Sequence, residues 1–297
     1  MIMSGPDQDD SGEKDTLPNF EEHPCHHKNE PLTKAVVDQY HCNPVILPFL
    51  ENTARRLRKT AQELRVLDYG CGRGETVAYL RRCGYDCYGV DIDPTYIGNA
   101  QAYFGSELSR FAAVSLVIDG RSLFPDGFFD VVVTDQVLEH VSTIETVVAE
   151  LKRIMTDDAA GLHIFPSALS LIEGHLFLPI CHWLPKGNTR RALIHAMLAL
   201  GMGAPYLKHL STADRATVFY RYSVTDTFYR TRSELAKLFN QQGFVSREIV
   251  REKLLYRGGV TAKVVGSPIV GTLATWLYST FYQTYLLTAK NRASLVL

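Results

Sequence analysis

Val66-Leu67-Asp68-Tyr69-Gly70-Cys71-Gly72-Arg73-Gly74 sets an acid and then three alternating glycines between an apolar run and a stretch of helical period. Glycine tolerates φ > 0 and lets a ligand lie against bare backbone. A helix opening at Glu75 would add its positive end. A dinucleotide loop is spaced G-x-G-x-x-G. Here the spacing is G-x-G-x-G, and Glu75 stands where the third glycine would be, beside any pyrophosphate and repelling it. Asp68 suits an ammonium group instead. A second acid, Asp91, ends the next apolar run, 21 residues after Gly70. That is the separation of a carboxylate that grips ribose hydroxyls. A third, Asp119, ends the run Val114–Ile118 and could accept from an adenine amino group. These residue types predict an adenosine carrying an amino acid and no phosphate, bound at the carboxyl ends of parallel strands.

The elements that must carry these residues alternate. Short apolar runs at 65–69, 87–90, 114–118, 130–134 and 162–165 read as buried strands. Helical periods run over 75–83, ended by Gly84, and over Glu145–Met155, where Val147, Val148, Leu151 and Ile154 share one face. Residues 32–64 also read as helical, interrupted at Pro44 and Pro48. This β-α rhythm predicts an α/β fold, doubly wound around a mainly parallel sheet. It breaks after Pro166. Thr231 caps a further helix over 231–240, and Phe244–Val250 with Val260–Val265 form a candidate closing antiparallel pair.

The chain resembles the class I methyltransferases that use S-adenosylmethionine, in the small-molecule (type 11) branch that includes the ubiquinone and menaquinone methyltransferases. Val66–Gly74 matches that family's first motif and Gly89-Val90-Asp91-Ile92-Asp93-Pro94 its second. Asp119-Gly120 through Leu123–Val132 matches the third and fourth. Val137-Leu138-Glu139-His140-Val141 matches the segment after the fourth strand, and Glu150-Leu151-Lys152-Arg153-Ile154-Met155 the helix before the fifth. The motifs occur in order over about residues 60–166, with a weaker echo at 229–265. One segment departs: the usual Leu-x-Pro-Gly-Gly reads Met155-Thr156-Asp157-Asp158-Ala159-Ala160-Gly161, a turn without proline. The resemblance implies a Rossmann-like sheet of about seven strands with an antiparallel last strand. It also implies that Asp68 lies near the methionine ammonium, and that Gly70, Cys71 and Gly72 give the backbone surface. Asp91 would hold the ribose, Ile92 and Gly120 flank the adenine, Asp119 bond its amino group, and Asp135 line the methionine end. No metal is expected.

A methyl leaves a sulfonium by in-line displacement, so alignment supplies much of the acceleration. A base is needed only where the acceptor must lose a proton. His140, after the fourth strand, and His182, in the insertion, are the candidate bases. His175 lies in the same insertion as His182, and His163, set among apolar strand residues, reads as structural. Residues 167–229, with Phe177, Trp183 and Leu184, form a candidate helical lid suited to an apolar, sugar or lipid-linked acceptor, methylated on oxygen or carbon. Tyr220–Tyr222 and Phe228–Arg230 are a further aromatic and basic stretch. Asn/Asp-Pro-Pro-Tyr/Phe, the nucleic-acid methylase signature, is replaced by Thr134-Asp135-Gln136-Val137. A macromolecular acceptor and a non-catalytic cofactor-binding scaffold are the alternatives.

Composition bounds the rest. Across 297 residues the net charge is −1, which excludes a global basic field for nucleic acid. Residues 1–30 hold eight acids against two lysines and few aliphatic side chains, and read as a disordered acidic arm. The six cysteines form no Cys-x-x-Cys pair, and His23, Cys25, His26 and His27 lack a second ligand pair. Free thiols and no secretory pattern suggest a cytoplasmic protein. The expected divisions are the arm, a domain over 31–265, and an apolar C-terminal helix over 266–297. Residues 264–289 carry no charge. They are read as a helix with Ile269, Leu273, Trp276, Leu277, Phe281 and Tyr285 on one stripe. Packing on the domain, peripheral membrane contact and a true span all stay open.

Overall fold

The computed structural model describes residues 17, 18, 20, 30–105 and 111–295. Two short helices, α1 (Lys34–Gln39) and α2 (Ile46–Leu57), precede the sheet, and Thr33 caps α1 by accepting from the Val36 amide. Then β1 (Arg65–Tyr69), α3 (Glu75–Arg82), β2 (Asp86–Asp91), α4 (Pro94–Phe104) and β3 (Val114–Leu116) alternate as the periodicity predicts. Asp93 caps α4, with Pro94 at its first position. β4 (Phe129–Asp135), α5 (Ile144–Ile154) and β5 (Met155–Pro166) complete the parallel half.

β5 starts earlier than expected. Residues 155–161, read as a turn, are extended. A two-residue step from Phe129 to Val131 on β4 matches a five-residue step from Met155 to Ala160 on β5, so the extra residues bulge.

The insertion carries α6 (Asn188–Ala199) and α7 (Thr212–Thr225). It has its own core, in which Leu176, Leu178, Ile194, Phe219 and Tyr222 are buried together. Phe20 joins that core, 5.3 Å from the Phe219 ring and 4.4 Å from Tyr222. The disordered-arm expectation therefore fails at Leu17, Pro18 and Phe20: burial of one large aromatic offsets the cost of ordering them. Residues 1–16, 19 and 21–29, including the His23–His27 cluster, lie outside the described residues.

After the insertion come α8 (Arg232–Gln241), β6 (Val245–Glu248), α9 (Val250–Tyr256), α10 (Gly259–Gly266), α11 (Pro268–Phe281) and β7 (Gln283–Ala289). Thr231 caps α8 as predicted, in a reciprocal box with Glu234. Two expectations are corrected here. Val260–Val265 is helical, and the partner of β6 is β7. The expected C-terminal helix ends at Phe281, and Tyr285 belongs to a strand. Thr284–Thr288 is rich in β-prone side chains and is buried on both faces. Such a run cannot be told from a helix by periodicity alone. The sheet domain thus reaches residue 289, not 265.

Among the described residues the strands form one sheet in the order β3-β2-β1-β4-β5-β7-β6, with β7 antiparallel to both neighbours. It is a Rossmann-like, mainly parallel seven-stranded sheet. α2, α3, α4 and α9 cover one face and α5 and α8 the other. In β1, Val66 faces the first layer and Leu67 the second, which is why the strand reads as continuously apolar. His163 is structural as expected, held between Thr134 Oγ1 (3.0 Å) and Thr288 Oγ1 (2.9 Å).

Candidate active site

The β1–α3 loop has already used most of its amides. Gly70 N–H and Cys71 N–H both donate to the Val90 carbonyl, at 2.7 and 3.0 Å. Gly72 N–H donates to Asp91 Oδ2 (2.9 Å) and Gly74 N–H to the Cys71 carbonyl (2.9 Å). A phosphate cradle needs such donors pointing outward, so this loop is not one. Gly70, at φ +84°, lies so close to Val137 that an added Cβ would sit 2.4 Å from a methyl. Gly72, at φ +52°, faces open space. The loop thus presents glycine backbone, with four of its amides already bonded. Cys71 contributes main chain only, because its thiol is buried beneath Gly89 in the core.

Carboxylates supply the electrostatics. Asp68 is buried at the end of β1, and its pKa is pushed up to about 8 by burial and then by Asp135, Asp91 and Glu75. Burial also raises Asp91, against the amides of Asp93 and Gly72 that hold its ionised form. It raises Asp135 at the end of β4, against hydrogen bonds from Gln136 and Asn43. Arg73 does not neutralise this group. It is buried against Glu75, which its guanidinium grips at 2.6 and 2.9 Å. Gathering three acids without a countercharge leaves a site that a cation would stabilise.

The remaining adenosine candidates lie along the same strand ends. Ile92 is 77 % exposed directly after Asp91, an apolar surface with nothing packed on it. Asp119 and Gly120, both at positive φ, form a tight turn closed by Ile118 and Arg121, with Asp119 exposed. Tyr40 and Asn43, between α1 and α2, close the other side. Tyr40 Oη lies 2.8 Å from Thr76 Oγ1, and Asn43 bonds Asp135.

The lid packs on the turn after β4. Phe228 N–H donates to the Glu139 carbonyl (2.6 Å), and Arg230 donates to Leu138 and Ser142. His140 Nδ1 bonds the Asp226 carbonyl (2.8 Å), so Nδ1 carries the proton and Nε2 keeps its lone pair. Burial and then the His175 ring lower its pKa to about 4. His175 lies 4.8 Å away, ring to ring, and its Nδ1 bonds Glu173 (3.0 Å). Burial pushes Glu173 up, but His175, the Tyr229 hydroxyl and the Leu176 amide outweigh it and hold the carboxyl below its usual range.

Glu139 is 3 % exposed, neither carboxylate oxygen has a hydrogen-bond partner, and burial pushes its pKa to about 7. One ligand atom each from Glu139, His140 and His175 lies within 4.8 Å of the others. Histidines whose second nitrogen is held by a carbonyl or a carboxylate suit a metal as well as a proton. The expectation of no metal therefore meets a group able to hold one. His182 stays outside this group. Its Nε2 bonds Ser170 Oγ (3.2 Å), its ring packs 4.9 Å from Tyr229, and burial lowers its pKa to about 4. The sequence reading missed Glu139 and Glu173, although each neighbours a candidate histidine.

An open depression of about 700 Å³ lies at the opposite end of the sheet. Most of its charges are engaged: Arg153 with Asp126 and Glu150, Lys290 with Asp157.

A family model described as a methyltransferase domain matches residues 67–161. A ubiquinone biosynthesis O-methyltransferase of Azorhizobium caulinodans is 30 % identical over 183 residues, covering 54 % of this chain and 68 % of that one. This chain belongs to the class I S-adenosylmethionine-dependent methyltransferases. Another methyltransferase of that description, from Rhodopseudomonas palustris strain BisB18, is 28 % identical over 166 residues, covering 49 % of this chain and 61 % of that one. The chain thus spans about three fifths of the first curated methyltransferases it matches. A solved S-adenosylmethionine-dependent methyltransferase from Mesorhizobium loti aligns over 85 % of this chain and 99 % of that one, with 12 % identity and a TM-score of 0.46.

Proposed function

We propose that this chain methylates a hydroxyl oxygen of a small apolar acceptor, such as a phenol, using S-adenosylmethionine. The observation that carries the reading is the trio Asp68, Asp91 and Asp135, the first buried and the other two half-buried, beside a loop that has four amides already bonded, a site that repels phosphate and attracts a cation. S-adenosylmethionine, when bound, supplies an electrophilic methyl group on a sulfonium. Asp68 and Asp135 provide negative charge for its cationic end, and Asp91 holds the ribose hydroxyls. Ile92 and Gly120 give the adenine apolar contact, and Asp119 accepts from its amino group.

A phenol ionises near pH 10, so a base beside its oxygen helps. His175 takes that proton on Nε2, while Glu173 keeps Nδ1 protonated and stabilises the imidazolium that forms. His140 and Glu139 lie beside His175, in the turn after β4. His182, behind Tyr229, supports the lid. The printed names of the relatives, O-methyltransferases, favour oxygen over carbon.

The test uses S-adenosylmethionine labelled on the methyl, the purified full chain, catechol and a prenylated catechol, and separate organic and aqueous cell extracts. Time-dependent label on a phenolic oxygen or in the organic phase supports the reading. Label only in protein or nucleic acid moves the acceptor to a macromolecule. Binding of S-adenosylhomocysteine with no transfer to anything leaves a cofactor-binding scaffold.

A further inference from the structure

We infer that the outer face of α10 and α11 docks on an anionic lipid bilayer. α11 is inverted relative to a helix of a water-soluble domain, which buries its large apolar side chains. The residues it buries are the small ones, Gly271 and Ser279. Gly271 lies so close to α10 that an added Cβ would sit 2.0 Å from the Val265 carbonyl. The large ones face outward: Ile269 is 83 % exposed, Leu273 55 %, Val270 54 % and Trp276 51 %.

The polar groups of this helix are silenced. Thr272 and Thr275 donate to the carbonyls of Pro268 (2.6 Å) and Gly271 (2.7 Å), one turn back, and so present methyl groups outward. A second segment extends the same surface. Leu171 N–H donates to the Phe281 carbonyl, and Leu171, Ile172 and Phe177 of the lid are about half exposed. Scattered apolar residues need no explanation, but a contiguous patch from two segments does.

Charge names the occupant. Between residue 253 and the end of α11 there are three cations, Lys253, Arg257 and Lys263, and no acid. Arg257, just before α10, and Lys263, in its last turn, are exposed. Each cation near an anionic leaflet adds attraction. The face lies on the membrane rather than through it. No single helix among the described residues is long and apolar enough to cross, and α10 and α11 meet at 113°. The inference goes beyond the proposed transfer reaction and does not depend on it.

The experiment is co-sedimentation of the full chain with phosphatidylcholine vesicles, with and without about 30 % phosphatidylglycerol. The same samples are titrated with S-adenosylhomocysteine. The expected result is capture by the anionic vesicles, weakened at about 0.5 M salt. Ile269→Glu with Leu273→Glu should lower the vesicle partition roughly tenfold or more, with the heat of titration unchanged. Arg257→Glu with Lys263→Glu should lower it on anionic vesicles only, and decides the matter if the first pair unfolds. Wild-type protein that ignores both vesicles overturns the proposal. So does a first pair that binds as wild type, or a wild-type dimer in sedimentation velocity that this pair dissociates. A missing heat with intact capture would instead overturn the cofactor reading alone.

Discussion

The two sides of the proposed site are made of different materials. The cofactor side, at the ends of β1, β2 and β4, is main chain and carboxylate. Most of its loop amides are already bonded to β2 or within the loop, its glycines present bare backbone, and its charge is uncompensated acid. The acceptor side is side chain throughout. Glu139 and His140 come from the turn after β4, and Glu173 and His175 from the start of the insertion. Tyr222 and Tyr229 come from its end, in a lid with its own core. The first side is fixed by local geometry that any acceptor chemistry can share. The second is assembled over long range and can be rebuilt without disturbing the first, which is how one sheet can serve many acceptors.

If the division is real, damage on one side should leave the other intact. His175→Gln should slow methyl transfer to a phenol by about 10²–10⁴-fold, the range for loss of a positioned base. Calorimetric affinity for S-adenosylhomocysteine should stay within twofold of wild type, roughly the noise of such a comparison. A parallel loss of affinity would join the two sides into one. Phe20→Ala should remove about 3–5 kcal/mol from the lid core. Faster amide exchange confined to α6 and α7 would report it, and exchange rising equally in β1 and β4 would deny the lid a core of its own. Asp91→Ala should weaken S-adenosylhomocysteine by about 1–3 kcal/mol, seen in the same titration, without changing exchange in the lid.

The smallest expected effect is a pH dependence. Asp68 holds its proton up to about pH 8 in the free protein and must ionise to face a cation. Affinity for S-adenosylmethionine should therefore rise between about pH 6 and 8 and level off above, and Asp68→Asn should abolish the slope. The stability effect has the opposite sense. A carboxyl raised from 3.8 to about 8 contributes stability that is complete below the lower value and lost as pH rises through the higher one. Without ligand at pH 8, Asp68→Asn should melt above wild type, by roughly 2–4 °C for each kcal/mol relieved.

The cofactor side was legible because it is local. Asp68, Gly70, Gly72 and Asp91 lie within a β-α-β unit, and strand ends at these acids can be read from apolar runs of five or six residues. The helix cap at Thr231 was legible for the same reason. Two things were not. Gln283–Ala289 is buried on both faces, so no alternation along it marks a strand. Only its place between β5 and β6 decides it. The Glu173–His175 pair was hidden because its role comes from His140, thirty-five residues earlier in the chain, and from Tyr229, far later. His182 was a candidate base as a histidine of the insertion, and the fold sends it behind Tyr229.

The central claim, that the acidic strand ends take a cationic adenosine ligand, is tested most directly by titrating S-adenosylmethionine into the full chain in a calorimeter at pH 7. The titration is run in two buffers of different ionisation enthalpy. The account predicts a saturable one-to-one heat that differs between the buffers, because Asp68 releases a proton as the ligand binds. No heat up to about 1 mM ligand, from protein whose circular dichroism shows it folded, would contradict it.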